Sequence, residues 1–201
     1  MSLNKTYAIV DSKFHDKSSS ANLSKYTANG NARITFDSTN EAYQITRLNS
    51  GAGGLSSITL NNHRFTNQSR IEADIMLINS TDNIQTGIGL LNNNIGVNCK
   101  ITRASGVNVY AMSCLESTRT TYGSNEVSNE LSSSDIVLNR WFHCVVEINE
   151  SDIAFKLYYD DVLLGTINTS KSVLSSTDNE LAFWIGFSYN SKALVKNITV
   201  L

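Results

Sequence analysis

Within the runs 141–148, 153–159 and 181–189 side chains alternate in polarity with the two-residue period of a β-strand. That period limits what the chain can fold into more than any other feature. Over 141–148, Phe142, Cys144, Val146 and Ile148 point one way, and Trp141, His143, Val145 and Glu147 point the other. Ile153, Phe155, Leu157 and Tyr159 make a second apolar row opposite Ala154, Lys156 and Tyr158. Over 181–189, Leu181, Phe183, Ile185 and Phe187 face a core, which leaves Ala182, Trp184, Gly186 and Ser188 outside.

The same kind of run recurs upstream. Strands are predicted over 7–10, 32–36, 42–48, 55–60, 70–78, 86–91, 97–103 and 107–115, and downstream over 162–167 and 194–201. Asn, Ser, Asp and Gly clusters separate them, and Gly51-Ala52-Gly53-Gly54 reads as a turn. Residues 116–135, with Ser132-Ser133-Ser134, read as a long polar loop. Helical periodicity is almost absent, and a chain with no proline never interrupts a strand ladder. Only 17% of residues are charged, so Asn, Ser and Thr carry the polar balance; they favour turns and exposed strand faces. The expectation is a single all-β domain spanning 1–201.

Several function classes fall away on charge and hydropathy. The formal net charge is −2 and the 16 basic residues are scattered, so nucleic acid is not an expected partner. No apolar run approaches the ~20 residues that cross a bilayer, so no membrane insertion is expected. The start, Met1-Ser2-Leu3-Asn4-Lys5, continues through Tyr7, Asp11 and Lys13 without the apolar region of a secretory signal. That start suits an intracellular protein, a virion component released by lysis, or a domain excised from a longer surface protein. Cys99 and Cys114 fall on two segments that read as a hairpin around Ala104-Ser105-Gly106, and Cys144 lies in an apolar alternation. Three cysteines without a disulfide framework read as free thiols in preference to a bridge.

Trp141-Phe142-His143-Cys144-Val145-Val146-Glu147-Ile148 precedes a strand ending in Tyr158-Tyr159, then Asp160-Asp161 and Val162-Leu163-Leu164-Gly165-Thr166. This order resembles the laminin G-like and concanavalin A-like lectin/glucanase domains, as do Ile185-Gly186-Phe187 and the closing run 193–200. In those families the acidic turn is usually Asp-Gly; here Val162 follows Asp161, which predicts a different turn. The resemblance implies a two-sheet antiparallel jelly-roll sandwich of the concanavalin A-like type. That fold serves lectins, adhesion modules, virion tail domains and glucanases, so it does not choose among them.

Catalytic signatures are incomplete. The family-16 glycoside hydrolases within the resemblance carry Glu-x-Asp-x-Glu or Glu-x-Asp-x-x-Glu on one strand, whereas Glu72-Ala73-Asp74 is followed by Ile75-Met76-Leu77. Without the third acid, a proton donor has no paired nucleophile. His15, His63 and His143 stand among many serines, yet no G-x-S-x-G elbow exists. No cofactor is expected. The resemblance does imply that structural calcium is possible, since lectins of this fold often hold it with oxygen ligands; Asp82, Asn83, Asp160, Asp161, Asp178 and Asn179 are the candidates, none at regular loop spacing.

What remains is recognition. Sugars stack their C–H faces on aromatic rings while polar side chains hold the hydroxyls. Trp184, on the outer side of its strand, is the leading candidate for an exposed stacking ring. Arg103, Tyr110, Arg119 and Tyr122 lie in or beside the central hairpin and long loop, where they could line a groove. The sequence therefore points to a non-catalytic carbohydrate- or surface-recognition module, such as part of an adhesin or viral tail protein at an extracellular surface or on a virion. Its expected partners are a glycan or cell-surface polysaccharide, or other virion or surface subunits. The alternatives are a structural or assembly domain and, more remotely, a glycan-active enzyme.

Overall fold

The computed structural model describes residues 13–48, 55–78, 84–103, 110–118, 120, 126–131, 138–187 and 190–201. Two antiparallel sheets face each other. The eight-stranded sheet runs β13 (Val162–Ser170), β12 (Asp152–Tyr159), β11 (Trp141–Ile148), β6 (Arg70–Leu77), β15 (Lys192–Val200), β4 (Ala42–Arg47) and β3 (Ala32–Asp37). Its remaining strand, β1 (Phe14–Asp16), pairs with β15 over Ile198–Val200, beyond the stretch that pairs with β4. The seven-stranded sheet runs β10 (Val127–Leu131), β9 (Tyr110–Thr118), β8 (Ile95–Arg103), β7 (Ile84–Asn92), β14 (Glu180–Phe187), β5 (Leu55–Leu60) and β2 (Tyr26–Asn29). This is the all-β sandwich that the alternation implies.

The core forms where the inward rows of the two sheets meet. Phe142, Cys144 and Val146 of β11, Ile153, Phe155 and Leu157 of β12, and Leu181, Phe183 and Ile185 of β14 all join one buried cluster. Among the described residues, the faces read from the sequence are the faces observed. Large buried side chains such as these each contribute roughly 1.5–3 kcal/mol by leaving water, and together they fix the strand registers.

A buried carboxylate ties the N-terminal edge to both sheets. Asp16 is 1% exposed and accepts hydrogen bonds from the hydroxyls of Tyr26 in one sheet (2.9 Å) and Tyr43 in the other (2.9 Å). The Ser18 backbone N–H (2.8 Å) and the Asn22 amide (3.0 Å) also donate to it. Burial, reinforced by the neighbouring carboxylate, pushes both tyrosine hydroxyls up, so each is held protonated as a donor to Asp16.

Two local expectations change. Residues 127–131, predicted as loop, form β10 and pair with β9 from Val127 opposite Cys114 to Leu131 opposite Tyr110. Only Leu131 of this strand is an obvious core residue, so the alternation there is too short to register in the sequence. The Asp160-Asp161 turn has both residues in the left-handed region (φ 47 and 63), the backbone of a type I′ hairpin without its usual glycine. The predicted strand over 7–10 and the turn over 51–54 lie outside the described residues.

Candidate functional site

The outward face of the seven-stranded sheet is polar and almost sealed. Registers place Asn29, Ser57, Trp184, Gly87, Lys100, Ser113 and Ser128 in one row across seven strands. A parallel row runs Thr27, Thr59, Ala182, Gly89, Asn98 and Leu115. Gln85 lies on the same face two residues before Gly87 in β7, opposite Gly186 and Thr102. Gly87 and Gly89 leave the centre of β7, between Gln85 and Leu91, without side chains on this face.

The missing side chain at residue 89 decides how Trp184 sits. A Cβ there would come within 1.9 Å of the indole Nε1 and 2.8 Å of Cε2. The ring therefore lies along the sheet, over the glycine, and is 1% exposed. This corrects the expectation of an open stacking ring. Alternation assigns the outer side correctly but carries no information on whether a ring stands up from the sheet or lies down on it.

Burial here comes with unused hydrogen-bonding capacity. The Trp184 Nε1, the Asn98 Oδ1 and both amide atoms of Gln85 are shut off from solvent without a hydrogen-bond partner. Such groups are rare in folded proteins, because each costs roughly 1–3 kcal/mol when left unpaired. Gly89, beneath the indole nitrogen, is the register partner of Asn98. An unpaired donor and an unpaired acceptor thus sit one strand apart. Beside them Lys100 meets Glu126 at 3.2 Å. Burial pushes Glu126 up, but the Ser113 hydroxyl and the Lys100 charge outweigh it and hold the carboxyl below its usual range.

At the β2 edge the same face opens into a polar groove of about 330 Å³, lined by Thr27, Asn29, Thr59, Asn61, Arg64 and Glu180 among others. Its side chains are held in place. Thr27 donates to Asn61 Oδ1 (2.7 Å), Asn29 donates to Thr59 Oγ1 (2.8 Å), and Arg64 bridges Asp178 (3.0 Å) and Glu180 (2.7 Å). The row Thr27, Thr59, Ala182, Gly89, Asn98 leads from this groove to the unpaired atoms. None of the groove residues was singled out from the sequence as a binding residue. Their common signal, an Asn- and Thr-rich run spread over β2, β5 and the following turn, is indistinguishable from loop composition until the strands pair.

The acids Glu72 and Asp74 are elsewhere, on the outward face of the eight-stranded sheet. His143 places Nδ1 2.9 Å from Asp74 Oδ1 and Nε2 3.5 Å from Glu72 Oε2. Asn197 donates to Asp74 Oδ2 (2.6 Å), Arg70 binds both Glu72 and Glu147, and Lys156 binds Glu147 (2.5 Å). Both imidazole nitrogens face carboxylates, so neither is free to take a proton from a nucleophile. The hydrogen bond to Asp74 raises the His143 pKa against an opposing effect of burial, and the charges of Asp74 and Glu72 add to the rise. For Asp74, burial pushes upward, but hydrogen bonds from His143 and Asn197 and nearby positive charge outweigh it and lower the pKa. The pair's stabilisation is therefore fully present below the unfolded histidine value of about 6.5 and fades as pH rises through the folded one. On the acid side it fades as pH falls through the lowered Asp74 value. With His143 half exposed the gain is roughly 0.5–1 kcal/mol. Urea midpoints of the wild type and His143→Gln should therefore differ more at pH 5.5 than at pH 8.5; equal differences would exclude the coupling.

The remaining candidates divide. Arg103 ends β8 on the side of Ile101, half buried, with its Nη1 lacking a partner. Tyr110 is its register partner by backbone. The Tyr110 side chain, Arg119 and Tyr122 lie outside the described residues, as do the calcium candidates Asp82 and Asn83. Asp178 is engaged by Arg64, and the Asn179 side chain by the backbone of Ser175 and Phe65. Among the described residues, no group of three His, Cys, Asp or Glu side chains is placed for a metal ion.

No family model matches the chain, and no curated protein matches its sequence. Solved structures do match in fold. A legume lectin-like domain from Entamoeba histolytica superposes with a TM-score of 0.61 at 12% identity, covering 94% of this chain and 95% of that one. The CBM2 module of the evolved Dit of Lactobacillus casei BL23 phage J-1 gives 0.60 at 12% identity, covering 98% and 91%. A β-1,3-glucanase from Mycobacterium marinum gives 0.57 at 15% identity, covering 94% and 97%. Matches of this length to lectin-like, carbohydrate-module and glucanase structures agree with the strand order and the two facing sheets: the chain has the concanavalin A-like jelly-roll fold.

Proposed function

We propose that the chain is a non-catalytic recognition module that binds a neutral carbohydrate along the outward face of its seven-stranded sheet. The observation that carries this reading is the set of buried, unpartnered atoms at Trp184, Asn98 and Gln85. A sugar hydroxyl accepts one hydrogen bond and donates another. It can therefore take the indole N–H of Trp184 and give its own hydrogen to Asn98 Oδ1. The primary amide of Gln85 offers the same complementary pair. The cations near the face, Arg64 and Lys100, already have acidic partners, which favours an uncharged ligand. Because the central atoms are so little exposed, a ligand meets them only after the face opens, so association is slower than for a rigid site.

The non-catalytic part of the reading is supported by the engagement of Glu72, Asp74 and His143 with one another on the opposite sheet. The fold shared with a phage module and with lectin-like domains supports a setting at a cell surface or on a virion. It also leaves room for neighbouring surface subunits as partners. The test is binding of the purified chain to a panel of neutral and acidic glycans, with Asn98→Ala and Trp184→Phe in parallel. Phe fills the slot over Gly89 but removes the N–H. Selective binding to neutral glycans, weakened about tenfold or more in either variant with folding intact, is expected for a lost buried hydrogen bond. Binding that both variants retain would discard the site, and a wild type that binds no glycan would discard the function.

A further inference from the structure

Cys99 of β8 and Cys114 of β9 are direct register partners across their hairpin, on its core side. Both are fully buried, and their Sγ atoms lie 2.8 Å apart as free thiols. Directly opposed residues of an antiparallel pair have Cα separations of about 4.5–5.5 Å, inside the roughly 4.4–6.8 Å that a disulfide spans. Position, direction and sulfur separation therefore all suit a covalent link, although the sequence reading favours free thiols. Cys144 is also fully buried but lies on β11 of the other sheet, where its register partners are Leu157 and Ala73.

We propose that Cys99 and Cys114 form a disulfide when the chain folds in the presence of a small-molecule disulfide oxidant of the glutathione type. One cysteine thiolate attacks the oxidant, forming a mixed disulfide and releasing one small thiolate. The second cysteine thiolate attacks the protein sulfur of that mixed disulfide, forming the Sγ–Sγ bond and releasing the second small thiolate. Two electrons pass from the cysteines to the oxidant, and the two thiol protons end on the released thiols. Burial leaves no path for the oxidant once the core has closed, so the bond forms before closure and is then protected. Its position gives it a consequence for the outward face. Asn98 and Lys100 flank Cys99, and Ser113 and Leu115 flank Cys114, so the bridge pins together the two strands that carry them. The bridge itself stands on the register and the sulfurs, and would survive failure of the carbohydrate reading.

The experiment is refolding of the full chain from urea in a mixture of reduced and oxidised glutathione. The folded fraction is then unfolded without reductant, alkylated with iodoacetamide, and mapped by peptide mass spectrometry. The expected result is alkylation of Cys144 alone with a linked pair of peptides containing Cys99 and Cys114, changing to three alkylated cysteines after reduction. A Cys144→Ala chain should form the same link. Three alkylated cysteines in the natively folded oxidised chain, a link that includes Cys144, or a Cys99–Cys114 link found only in chains lacking the native circular dichroism would each overturn the proposal.

Discussion

Replacing Asp16 with Ala should lower the unfolding free energy by roughly 3–5 kcal/mol. Two tyrosine hydroxyls would lose their buried acceptor at about 1–3 kcal/mol each, and the turn over Ser20–Lys25 would lose its anchors at Ser18 and Asn22. Asp16→Asn keeps an oxygen acceptor and should lose less than half as much. Urea unfolding followed by circular dichroism gives both numbers. The contrast between the two variants separates the charge of residue 16 from the rest of its side chain, because Asn keeps both the volume and an acceptor and Ala keeps neither. An Asp16→Ala loss below about 1 kcal/mol would mean that the carboxylate does not hold the sheets together there.

Trp184→Ala should cost about 3–5 kcal/mol, the range for truncating a large buried aromatic. A ring standing free on the surface would cost almost nothing, so this variant separates the observed placement from the one alternation suggests. Fluorescence gives an independent reading. Trp141 is partly exposed beneath the Lys196 ammonium, 4.1 Å from its ring centre, whereas Trp184 is enclosed. Trp184→Phe should therefore remove the blue-shifted part of the emission and leave the redder part. Gly89→Ala should reproduce some of the Trp184→Ala destabilisation, since the new Cβ would occupy the indole's slot.

These two sites mark where the sequence was and was not readable. Strands β11, β12 and β14 announced themselves because each buries a whole row, and a period-two row is a local signal. Trp184's side of its sheet followed from the same rule. Its depth did not, because that depends on a glycine about a hundred residues earlier, brought alongside only by the β7–β14 register. Asp16 was invisible for a similar reason. Phe14-His15-Asp16 has no alternation to read, and its partners Tyr26 and Tyr43 arrive from two different sheets. The Asp160-Asp161 turn was visibly different from Asp-Gly, but only the backbone shows that both residues take the left-handed conformation glycine normally supplies. Of the candidate site, Trp184 alone was legible. Asn98, Gln85 and the groove residues became a set only once five strands were laid side by side.

The most direct test of carbohydrate recognition on this face watches the indole hydrogens themselves. The two tryptophans give two indole N–H resonances in a proton–nitrogen correlation spectrum, and Trp184→Phe assigns the one that disappears. Titration with a neutral oligosaccharide selected by the glycan panel should shift the Trp184 resonance in a saturable way, consistent with a newly formed hydrogen bond, and leave Trp141 in place. Saturable binding that moves the Trp141 resonance, or neither, would contradict a ligand seated between Trp184 and Asn98.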